Sequence, residues 1–338
     1  MTNQPTKGKL FKILAAVLGL FVAVVLALAL LPMKEQFSAP FVPSPASYAE
    51  TKSMLEKHFS SVPSTLSREG HPRAYLHDQP TEQVFVFLHG LTSAPEQFDL
   101  LGRQLFARGH NVVIVRSPGH GESDTMTDQL SGLTAQGMLE AANQAVNLAH
   151  GLGRHVTLVG LSINGSTASW FAQHRADLDR TVLLAPFFAP KGLPEWAIAP
   201  LANLVVRLPN VFLWWDPRVK QNMIRPPYTY PRYSTHGIGR MMLLGLDVLN
   251  ASKRTPPGCA SILIVTTASD FAVNNAITAR LASRWRAFRP EGVKTYEFSR
   301  EEKIPHDFID PNQSNQRIAV VYPLLIDMLE SGRTPPEK

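Results

Sequence analysis

A serine that directly follows a short apolar segment is the first candidate for chemistry in this sequence. Ser162 stands in the segment 160–164, which reads G-L-S-I-N, after an apolar stretch at 156–159 and before a helical pattern. A strand, an abrupt turn, a serine and a helix form the arrangement called a nucleophile elbow. The turn exposes the hydroxyl, and free N–H groups at the start of the helix can stabilise an oxyanion. The segment therefore predicts nucleophilic attack by Ser162, provided that a general base lies beside it.

Apolar stretches and helical patterns alternate along the chain and predict the scaffold around Ser162. Stretches typical of buried strands occur at 84–88, 111–115, 156–159, 181–184, 262–265 and 293–298. Helical patterns occur at 48–59, 95–108, 134–151, 238–249 and 318–329. Strands that are apolar on both sides and alternate with helices predict an α/β fold with a parallel sheet covered on both faces. Active sites of such sheets lie at the carboxyl ends of the strands, which is where Ser162 falls.

Length and composition favour one large α/β domain with an insertion, or two ordinary domains. The 338 residues are 44% hydrophobic and 18% charged, which is typical of a globular protein with a core. The net charge of +6 comes without dense Lys/Arg blocks, so we expect no nucleic-acid partner. Because Cys259 is the only cysteine, we expect neither an internal disulfide nor a cysteine-based zinc site.

An uninterrupted apolar run extends from Ile13 to Leu31, close to the N-terminus. At about 1.5 Å per residue it is long enough to cross the hydrocarbon core of a bilayer. Three lysines precede the run and only Lys34 follows closely, which predicts a single-pass anchor with a cytoplasmic N-terminus and an exported catalytic part, periplasmic if the source is bacterial. A cleaved signal peptide is the alternative, because the A-L-A at 27–29 resembles a cleavage site.

Five short segments occur in an order that resembles the α/β-hydrolase superfamily. They are His89-Gly90-Leu91, Pro118-Gly119-His120-Gly121-Glu122-Ser123, Gly160-Leu161-Ser162, Asp270 and His306. Within the superfamily the chain is most similar to the monoacylglycerol lipase and carboxylesterase-like serine hydrolases, over about residues 82–327. The resemblance implies an α/β-hydrolase fold, with a mostly parallel central sheet, helices on both faces and a helical cap. It also implies chemistry that requires no metal and no organic cofactor.

The resemblance assigns a Ser-His-Asp triad to Ser162, His306 and Asp270. His306 falls in a loop between the last predicted strand and the last predicted helix, where the family keeps its base. Asp270 follows the strand at 262–265 through a short turn, which places a carboxylate at a strand end in the family's order Ser, Asp, His. Its role would be to hold the imidazole tautomer and stabilise the imidazolium. The alternative for Asp270 is an N-cap of the helical stretch from Ala272.

The oxyanion hole of the family consists of two backbone N–H groups, which correspond here to those of Leu91 and Ile163. Their side chains matter little, because the donors belong to the main chain. His89 and His120 belong to two of the segments that carry the resemblance, at 89–91 and 118–123. We expect them to shape these loops rather than to take part in catalysis.

Asn164 departs from the family pattern, which has glycine two places after the serine. In this chain the glycine comes one place later, at Gly165. The elbow helix packs close to its strand at this point, so a larger side chain must point outward, displace its neighbours or hydrogen-bond within the site. The sequence leaves these alternatives open.

The segment between the strand that ends near Ala185 and the strand that starts at Ser261 is too long for an ordinary loop. The family places its cap here. The segment is apolar and aromatic, so its side chains are expected to pack on the core, line a pocket for an acyl chain or face a membrane. We predict a cytoplasmic N-terminus (1–12), an anchor (13–31), a linker and N-terminal extension (32–80), a core in two parts (81–188 and 256–332), a cap or lid (189–255) and a tail (333–338).

The sequence thus predicts a membrane-anchored serine hydrolase that cleaves carboxylic esters with a hydrophobic acyl group, from small-molecule or lipid substrates. The same residues would serve a thioesterase, an amidase or peptidase, or an acyltransferase, because fold and triad do not fix the acceptor. A non-catalytic protein that binds a hydrophobic ligand is the alternative from another class.

Overall fold

Strands and helices alternate along most of the chain in the computed structural model, which describes residues 7–33, 35–45 and 47–335. The helices are α1 (Lys7–Leu30), α2 (Tyr48–Ser60), α3 (Asp99–Phe106), α4 (Ala135–Ala149), α5 (Ile163–His174), α6 (Glu195–Arg207), α7 (Thr235–Ala251), α8 (Asn275–Phe288) and α9 (Ile318–Ser331). The strands are β1 (Arg73–Tyr75), β2 (Thr81–Leu88), β3 (Asn111–Val115), β4 (Gly153–Leu161), β5 (Arg180–Leu184), β6 (Phe212–Trp214), β7 (Arg232–Ser234), β8 (Ser261–Thr267) and β9 (Val293–Phe298).

The main sheet of the described residues has the strand order β1-β3-β2-β4-β5-β8-β9. Only β1 runs antiparallel to its neighbour, and the other strands pair in parallel. The predicted mostly parallel sheet is therefore confirmed. All six predicted strands are present, and β1 is an additional edge strand that the sequence analysis did not predict.

Side chains of successive strand residues enter two separate apolar layers, as the two-residue repeat of a strand requires. In β2, Val84 and Val86 face the layer that contains α2, α4, α5, α7 and α8, whereas Phe85 and Phe87 face the layer of α3 and α9. All four side chains are completely buried. Each contributes about 1.5–3 kcal/mol relative to an exposed position. Helices thus cover both faces of the sheet, as predicted.

The parallel strands all end at one edge of the sheet, and the loops that follow them meet there. Leu161 is the last residue of β4 and Ile163 is the first residue of α5, so a single residue, Ser162, makes the turn between them. The loops after β2, β8 and β9 reach the same edge and supply the other candidate residues.

The segment between β5 and β8 contains α6, the two-stranded antiparallel sheet β6–β7, and α7. The predicted helical stretch at 238–249 lies inside α7. The small sheet was not predicted. The helices α6 and α7 pack against each other, and α7 also packs against α4 and α5 of the core.

The predicted apolar anchor falls on α1, which is long and apolar enough to cross a membrane and is the one such helix among the residues searched. By these criteria it is a candidate span, and a signal sequence would meet them too. The end of α1 packs against α6. Residues 1–6 of the predicted cytoplasmic segment and residues 336–338 of the predicted tail lie outside the described residues.

Candidate active site

Ser162 adopts a backbone conformation that few side-chain-bearing residues adopt, with φ at 56° and ψ at −118°. Such a conformation costs of order 1–3 kcal/mol and persists only where the surroundings enforce it. Here the Ser162 N–H donates to the carbonyl of Leu184 at 2.9 Å. The Ser162 carbonyl accepts from the N–H groups of Gly165 and Phe187, at 2.8 and 2.9 Å. These bonds hold the sharp turn between β4 and α5.

Two glycines allow α5 to approach the sheet closely at the elbow. A Cβ atom on Gly160 would lie 2.1 Å from the carbonyl oxygen of Asn164. A Cβ atom on Gly165 would lie 2.6 Å from Cα of Pro186, just after β5. Glycine is therefore needed two places before the serine on β4 and three places after it on α5, which explains why the glycine of this chain stands at position 165.

Ser162, His306 and Asp270 form a continuous chain of hydrogen bonds. Ser162 Oγ lies 2.9 Å from His306 Nε2, and His306 Nδ1 lies 2.7 Å from Asp270 Oδ2. A carboxylate can only accept, so Nδ1 must carry the proton. In the neutral ring Nε2 is then the acceptor for the serine hydroxyl. The structure thus brings together the three residues that the sequence analysis selected.

Asp270 is 2% exposed, and both of its carboxylate oxygens have donors. Oδ1 accepts from the N–H groups of Ala272 and Val273, at 2.8 and 3.1 Å, while Oδ2 accepts from His306. Burial acts to raise the pKa of Asp270, but the hydrogen bond and charge of His306 and the two backbone donors together lower it below its usual value. The alternative interpretation as an N-cap is wrong, because α8 begins at Asn275 and is capped by Asn274.

Burial and a neighbouring carboxylate act in opposite directions on His306, which is 6% exposed. Burial lowers the pKa of the imidazole, but the hydrogen bond and charge of Asp270, with a smaller effect of Asp307, raise it above its usual value. The opposite shifts of the Asp270 and His306 pKa values describe one stabilised ion pair. The imidazolium that forms when His306 accepts a proton is therefore stabilised in place.

The two predicted oxyanion donors belong to Ile163, which follows the serine directly, and to Leu91, in the loop after β2. Ile163 is the first residue of α5, and the N–H groups of a helix's first turn have no partner within the helix. Leu91 follows the end of β2 and lines the same cavity as Ser162. Within the described part of the chain, neither N–H donates to a protein acceptor. Both remain available to a ligand.

His89 and His120 are completely buried; both ring nitrogens of His89 bond to the main chain, whereas among the described residues His120 bonds through Nδ1 alone, to the Pro118 carbonyl at 2.9 Å. His89 Nδ1 donates to the Gly90 carbonyl at 2.9 Å, and its Nε2 accepts from the Ser117 N–H at 3.1 Å. Desolvation holds the pKa of His89 well below its usual range, and lowers that of His120 to about 4. Both rings are neutral. His89 joins the loops after β2 and β3, and His120 bonds within the loop after β3, which fits the structural role expected for them.

Asn164 is 1% exposed and hydrogen-bonds within the site, one of the alternatives left open by the sequence. Its Nδ2 donates to the His89 carbonyl at 2.6 Å and to Ser117 Oγ at 2.8 Å. The side chain therefore links the elbow to the loops after β2 and β3. It does not bond to Ser162.

Gln97 is a residue that the sequence analysis missed. Its side chain is 1% exposed, and its Oε1 accepts from the Gly90 N–H at 2.8 Å. Its Nε2 donates to Asp307 Oδ1 at 3.3 Å. Gln97 therefore connects the residue before Leu91 to the residue after His306. Its own segment, 95–108, contains several other polar residues, so nothing in the sequence distinguishes Gln97 from them.

A cavity of about 330 Å³ lies over Ser162 and His306, and residues of the segment between β5 and β8 form part of its lining. One part of its lining is polar, with Thr92, Ser93, Gln97, Asp307, Gln313, Ser314 and Asn315. Another part is apolar, with Leu91, Trp215, Met223, Ile224, Phe271, Ala272 and Pro305. This segment is bound to the loop of Leu91, because the Tyr230 N–H donates to the Thr92 carbonyl at 2.7 Å and Trp215 Nε1 donates to Thr92 Oγ1 at 3.0 Å. Among the described residues searched, no cluster of three His, Cys, Asp or Glu side chains could hold a metal ion.

Comparison with known proteins identifies the family. Residues 85–303 match the model of the alpha/beta hydrolase family, and this is more than half of the chain. The chain therefore belongs to the alpha/beta hydrolase family, and the predicted resemblance is confirmed. A search of curated proteins found no significant match.

Solved structures with the same fold include lipases. A monoacylglycerol lipase from Paleococcus ferrophilus superimposes with a TM-score of 0.59 at 18% identity, covering 78% of this chain and 99% of that one. A soluble variant of monoglyceride lipase from Saccharomyces cerevisiae gives 0.58 at 12% identity, covering 78% and 92%. A structure reported with LipS and LipT, two metagenome-derived lipolytic enzymes, gives 0.56 at 15% identity, covering 79% and 99%. At these identities the similarity is one of fold.

Proposed function

We propose that the protein is a membrane-anchored serine hydrolase that cleaves carboxylic esters, with Ser162 as nucleophile, His306 as general base and Asp270 as the residue that orients the base. The observation that carries the proposal is the hydrogen-bonded chain from Asp270 through His306 to Ser162, at the floor of the cavity. The strained conformation of Ser162 adds support, because strain of this kind is concentrated at functional residues.

In the proposed reaction, Ser162 Oγ attacks the ester carbonyl while its proton passes to His306 Nε2. The N–H groups of Leu91 and Ile163 stabilise the oxyanion of the tetrahedral intermediate. When the intermediate collapses, the carbon–oxygen bond to the alcohol breaks, and His306 protonates the departing alcohol. Water then attacks the acyl-enzyme with His306 again as base, which releases the acid and restores Ser162.

The cavity lining supports an amphiphilic ester as substrate. Trp215, Met223 and Phe271 give its apolar part, which suits a hydrophobic acyl group. Ser314 and Asn315 in its polar part are exposed and offer hydrogen bonds that suit a more polar alcohol. The fold shared with lipases is consistent with such a substrate.

Contacts between α1 and the cap support an anchor that is retained. Asn203 Nδ2 donates to the Ala29 carbonyl at 2.9 Å, and Arg207 Nη1 donates to the Leu28 carbonyl at 2.6 Å. Cleavage after Ala29 would remove both acceptors, and Asn203 is 3% exposed. Loss of a buried partner costs about 1–3 kcal/mol. Mass determination of the mature protein tests retention, and protease treatment of intact cells or spheroplasts tests whether residues after α1 are exported.

The activity can be tested on the full chain in detergent with a fluorophosphonate probe. We expect labelling of the parent and of Ser93→Ala, a control serine that lines the same cavity, but none of Ser162→Ala. p-Nitrophenyl esters of increasing chain length then report turnover. Labelling without ester turnover would redirect the proposal to a thioester, amide or transfer reaction. A folded protein that is not labelled would contradict a serine hydrolase and favour a ligand-binding protein.

A further inference from the structure

The positive charge of the chain is concentrated in the cap. Residues 189–255 contain nine Lys and Arg against three Asp and Glu, a net charge of +6. The whole chain, with 33 Lys and Arg against 27 Asp and Glu, also has a net charge of +6. The rest of the sequence is therefore balanced. A cap that carries the entire net charge is suited to an anionic surface.

Outside α1, exposed apolar side chains are also concentrated in the cap, most of them in a segment we call the docking segment, residues 208–224. Its exposed members are Leu208, Val211, Leu213, Trp215, Val219 and Ile224. Two exposed basic residues, Arg218 and Lys220, lie among them, and Arg218 pairs with Asp216 at 2.7 Å, so the segment has a net charge of +1. Apolar side chains interspersed with cations are typical of segments that lie at a membrane surface.

One end of the docking segment is fixed to the end of α1. Asn203 and Arg207, in the last turns of α6, bind carbonyls at the C-terminal end of α1, which have no partner within that helix. On α1 the half-buried residues Val25, Leu28 and Ala29 share one face, against which α6 packs. Val25 lies about 9 Å along the helix from Leu31. If α1 spans the bilayer, α6 therefore meets the membrane interface, and the docking segment begins there.

The other end of the docking segment borders the candidate active site. Trp215, Met223 and Ile224 line the cavity that contains Ser162. Ile224 is 86% exposed, and Phe271, which also lines the cavity, is 69% exposed. Apolar surface thus continues from the end of α1 to the mouth of the cavity.

We propose that the docking segment lies on the surface of a bilayer that contains anionic lipids, and that the cavity opens at this interface, so that the ester substrate enters from the lipid rather than from water. The inference rests on the proposed function, since it requires a retained α1 and an ester substrate. Hydrophobic burial of the segment and attraction of its cations to anionic headgroups act together, and each surface cation contributes about 1 kcal/mol.

Docking can be measured without catalysis, with an environment-sensitive fluorophore on a single cysteine. Leu213→Cys and Phe288→Cys are a matched pair, because both side chains are 44% exposed but Phe288 ends α8 outside the cap. The natural Cys259 is completely buried, so it does not compete for the label. Each variant is prepared with Ser162→Ala as full chain in bilayers of phosphatidylcholine with or without phosphatidylglycerol.

The expected result is a blue shift at position 213, with quenching by spin-labelled lipid that strengthens when phosphatidylglycerol is present. The label at position 288 should remain in water in both bilayers. Equal exposure of the two labels to water would overturn the proposal.

The kinetic consequence is tested with Arg218→Gln/Lys220→Gln, using an ester resident in the bilayer and a soluble short-chain ester. Arg154→Gln/Lys294→Gln removes the same charge outside the cap and is the control. In bilayers with phosphatidylglycerol we expect about a tenfold loss on the resident ester for the cap pair alone. Turnover of the soluble ester should be unchanged in both pairs. Equal losses in the two pairs would contradict the inference.

The two proposals fail in different ways. If the parent cleaves the soluble ester but the label at position 213 stays in water, the surface inference fails and the hydrolase stands. If the label at position 213 enters the bilayer but the parent cleaves neither ester, the docking surface stands and the proposed ester hydrolysis fails.

Discussion

Two groups of buried histidines lie near the carboxyl edge of the sheet, and their surroundings give them opposite properties. His306 bonds to the carboxylate of Asp270, and its pKa is raised. His89 and His120 bond to carbonyl and N–H groups of the main chain, and their pKa values are lowered. Burial disfavours the imidazolium in all three, but only a facing carboxylate reverses the effect.

The difference separates a histidine that can exchange a proton from histidines that hold loops together. His306 uses one ring nitrogen for Asp270 and presents the other to Ser162. His89 uses both nitrogens to join the loops after β2 and β3. Burial of a histidine near this edge of the sheet therefore does not by itself indicate a role in catalysis. The chemical nature of the groups that bond to its two ring nitrogens is the better indication.

The strongest test of this comparison is Asp270→Asn, which gives His306 a neutral partner. We expect kcat on a soluble ester to fall about 10⁴-fold, because the ring loses its correct tautomer and the stabilisation of its charged form. The base must be neutral to accept the serine proton. Loss of a carboxylate that raises the pKa of His306 should therefore move the acidic limb of the pH–rate profile to lower pH.

Asp307→Asn is the matched control for that variant, because Asp307 adjoins His306 in the chain but does not bond to its ring. Asp307 also raises the pKa of His306, but by less than Asp270 does. The acidic limb should move slightly to lower pH, with a far smaller loss of kcat. A larger loss for Asp307→Asn than for Asp270→Asn would transfer the role of the acid to Asp307.

A second test is His89→Phe, which keeps a ring but removes the acceptor of the Ser117 N–H. The loop of Leu91 should shift, and misplacement of a catalytic group by about 1 Å can cost about 10²-fold in rate. The unpaired N–H should also lower Tm, since it costs about 1–3 kcal/mol. The acidic limb of the pH–rate profile should stay at the pH at which the parent shows it. A displaced limb, measured from kcat/KM against pH, would mean that His89 takes part in proton transfer.

A third test is Gln97→Met, which breaks the connection between Gly90 and Asp307. We expect about a tenfold lower kcat with little change in KM, because the Gly90 N–H is left unpaired beside the oxyanion donor Leu91. The control is Gln313→Met, which removes the 3.5 Å contact to the other oxygen of Asp307 and leaves Gly90 untouched. Equal effects of the two variants would show that Gln97 acts only through Asp307.

The smallest effect concerns a buried carboxylate with no histidine beside it. Burial raises the pKa of Asp310 to about 7, although Tyr228 donates to it at 2.6 Å. A carboxyl whose pKa is raised by folding stabilises the fold at low pH, and that contribution is lost as the pH rises through about 7. The side chain of the Asp310→Asn variant cannot ionise, so the variant does not lose this contribution. The Tm of the variant minus the Tm of the parent should therefore rise by several degrees between about pH 5 and about pH 8, since 1 kcal/mol corresponds to about 2–4 °C. A constant difference in Tm would refute this assignment.

Much of the sheet could be predicted from sequence because each strand is a local pattern. The bounds of β3 and β9 agree with the predicted stretches 111–115 and 293–298. In contrast, β1 and β6 have three residues each, none of them fully buried, so they carry no apolar run that the sequence could reveal.

The site could be predicted only where residue order carries information. Ser162, Asp270 and His306 follow strands in the family's order, and the structure brings them to hydrogen-bonding distance across as many as 144 positions of sequence. Their roles stay a prediction until activity is measured. Gln97 escaped because its partner Asp307 lies 210 positions away, and nothing in its own segment indicates that contact. The bonds of Asn164 were equally hidden, since they depend on two loops that meet only in the fold.

The bonds from Asn203 and Arg207 to the end of α1 also limit how far the residues around them can move. The segment between β5 and β8 bonds directly to the helix that would sit in the bilayer. The residues that follow α1 are bound in turn to the core, where Ser38 and Gln136 exchange two hydrogen bonds and Arg175 donates to the Ala39 carbonyl at 2.9 Å. A membrane-embedded α1 would therefore hold both the core and this segment in one orientation to the bilayer, and the mouth of the cavity would face a fixed direction.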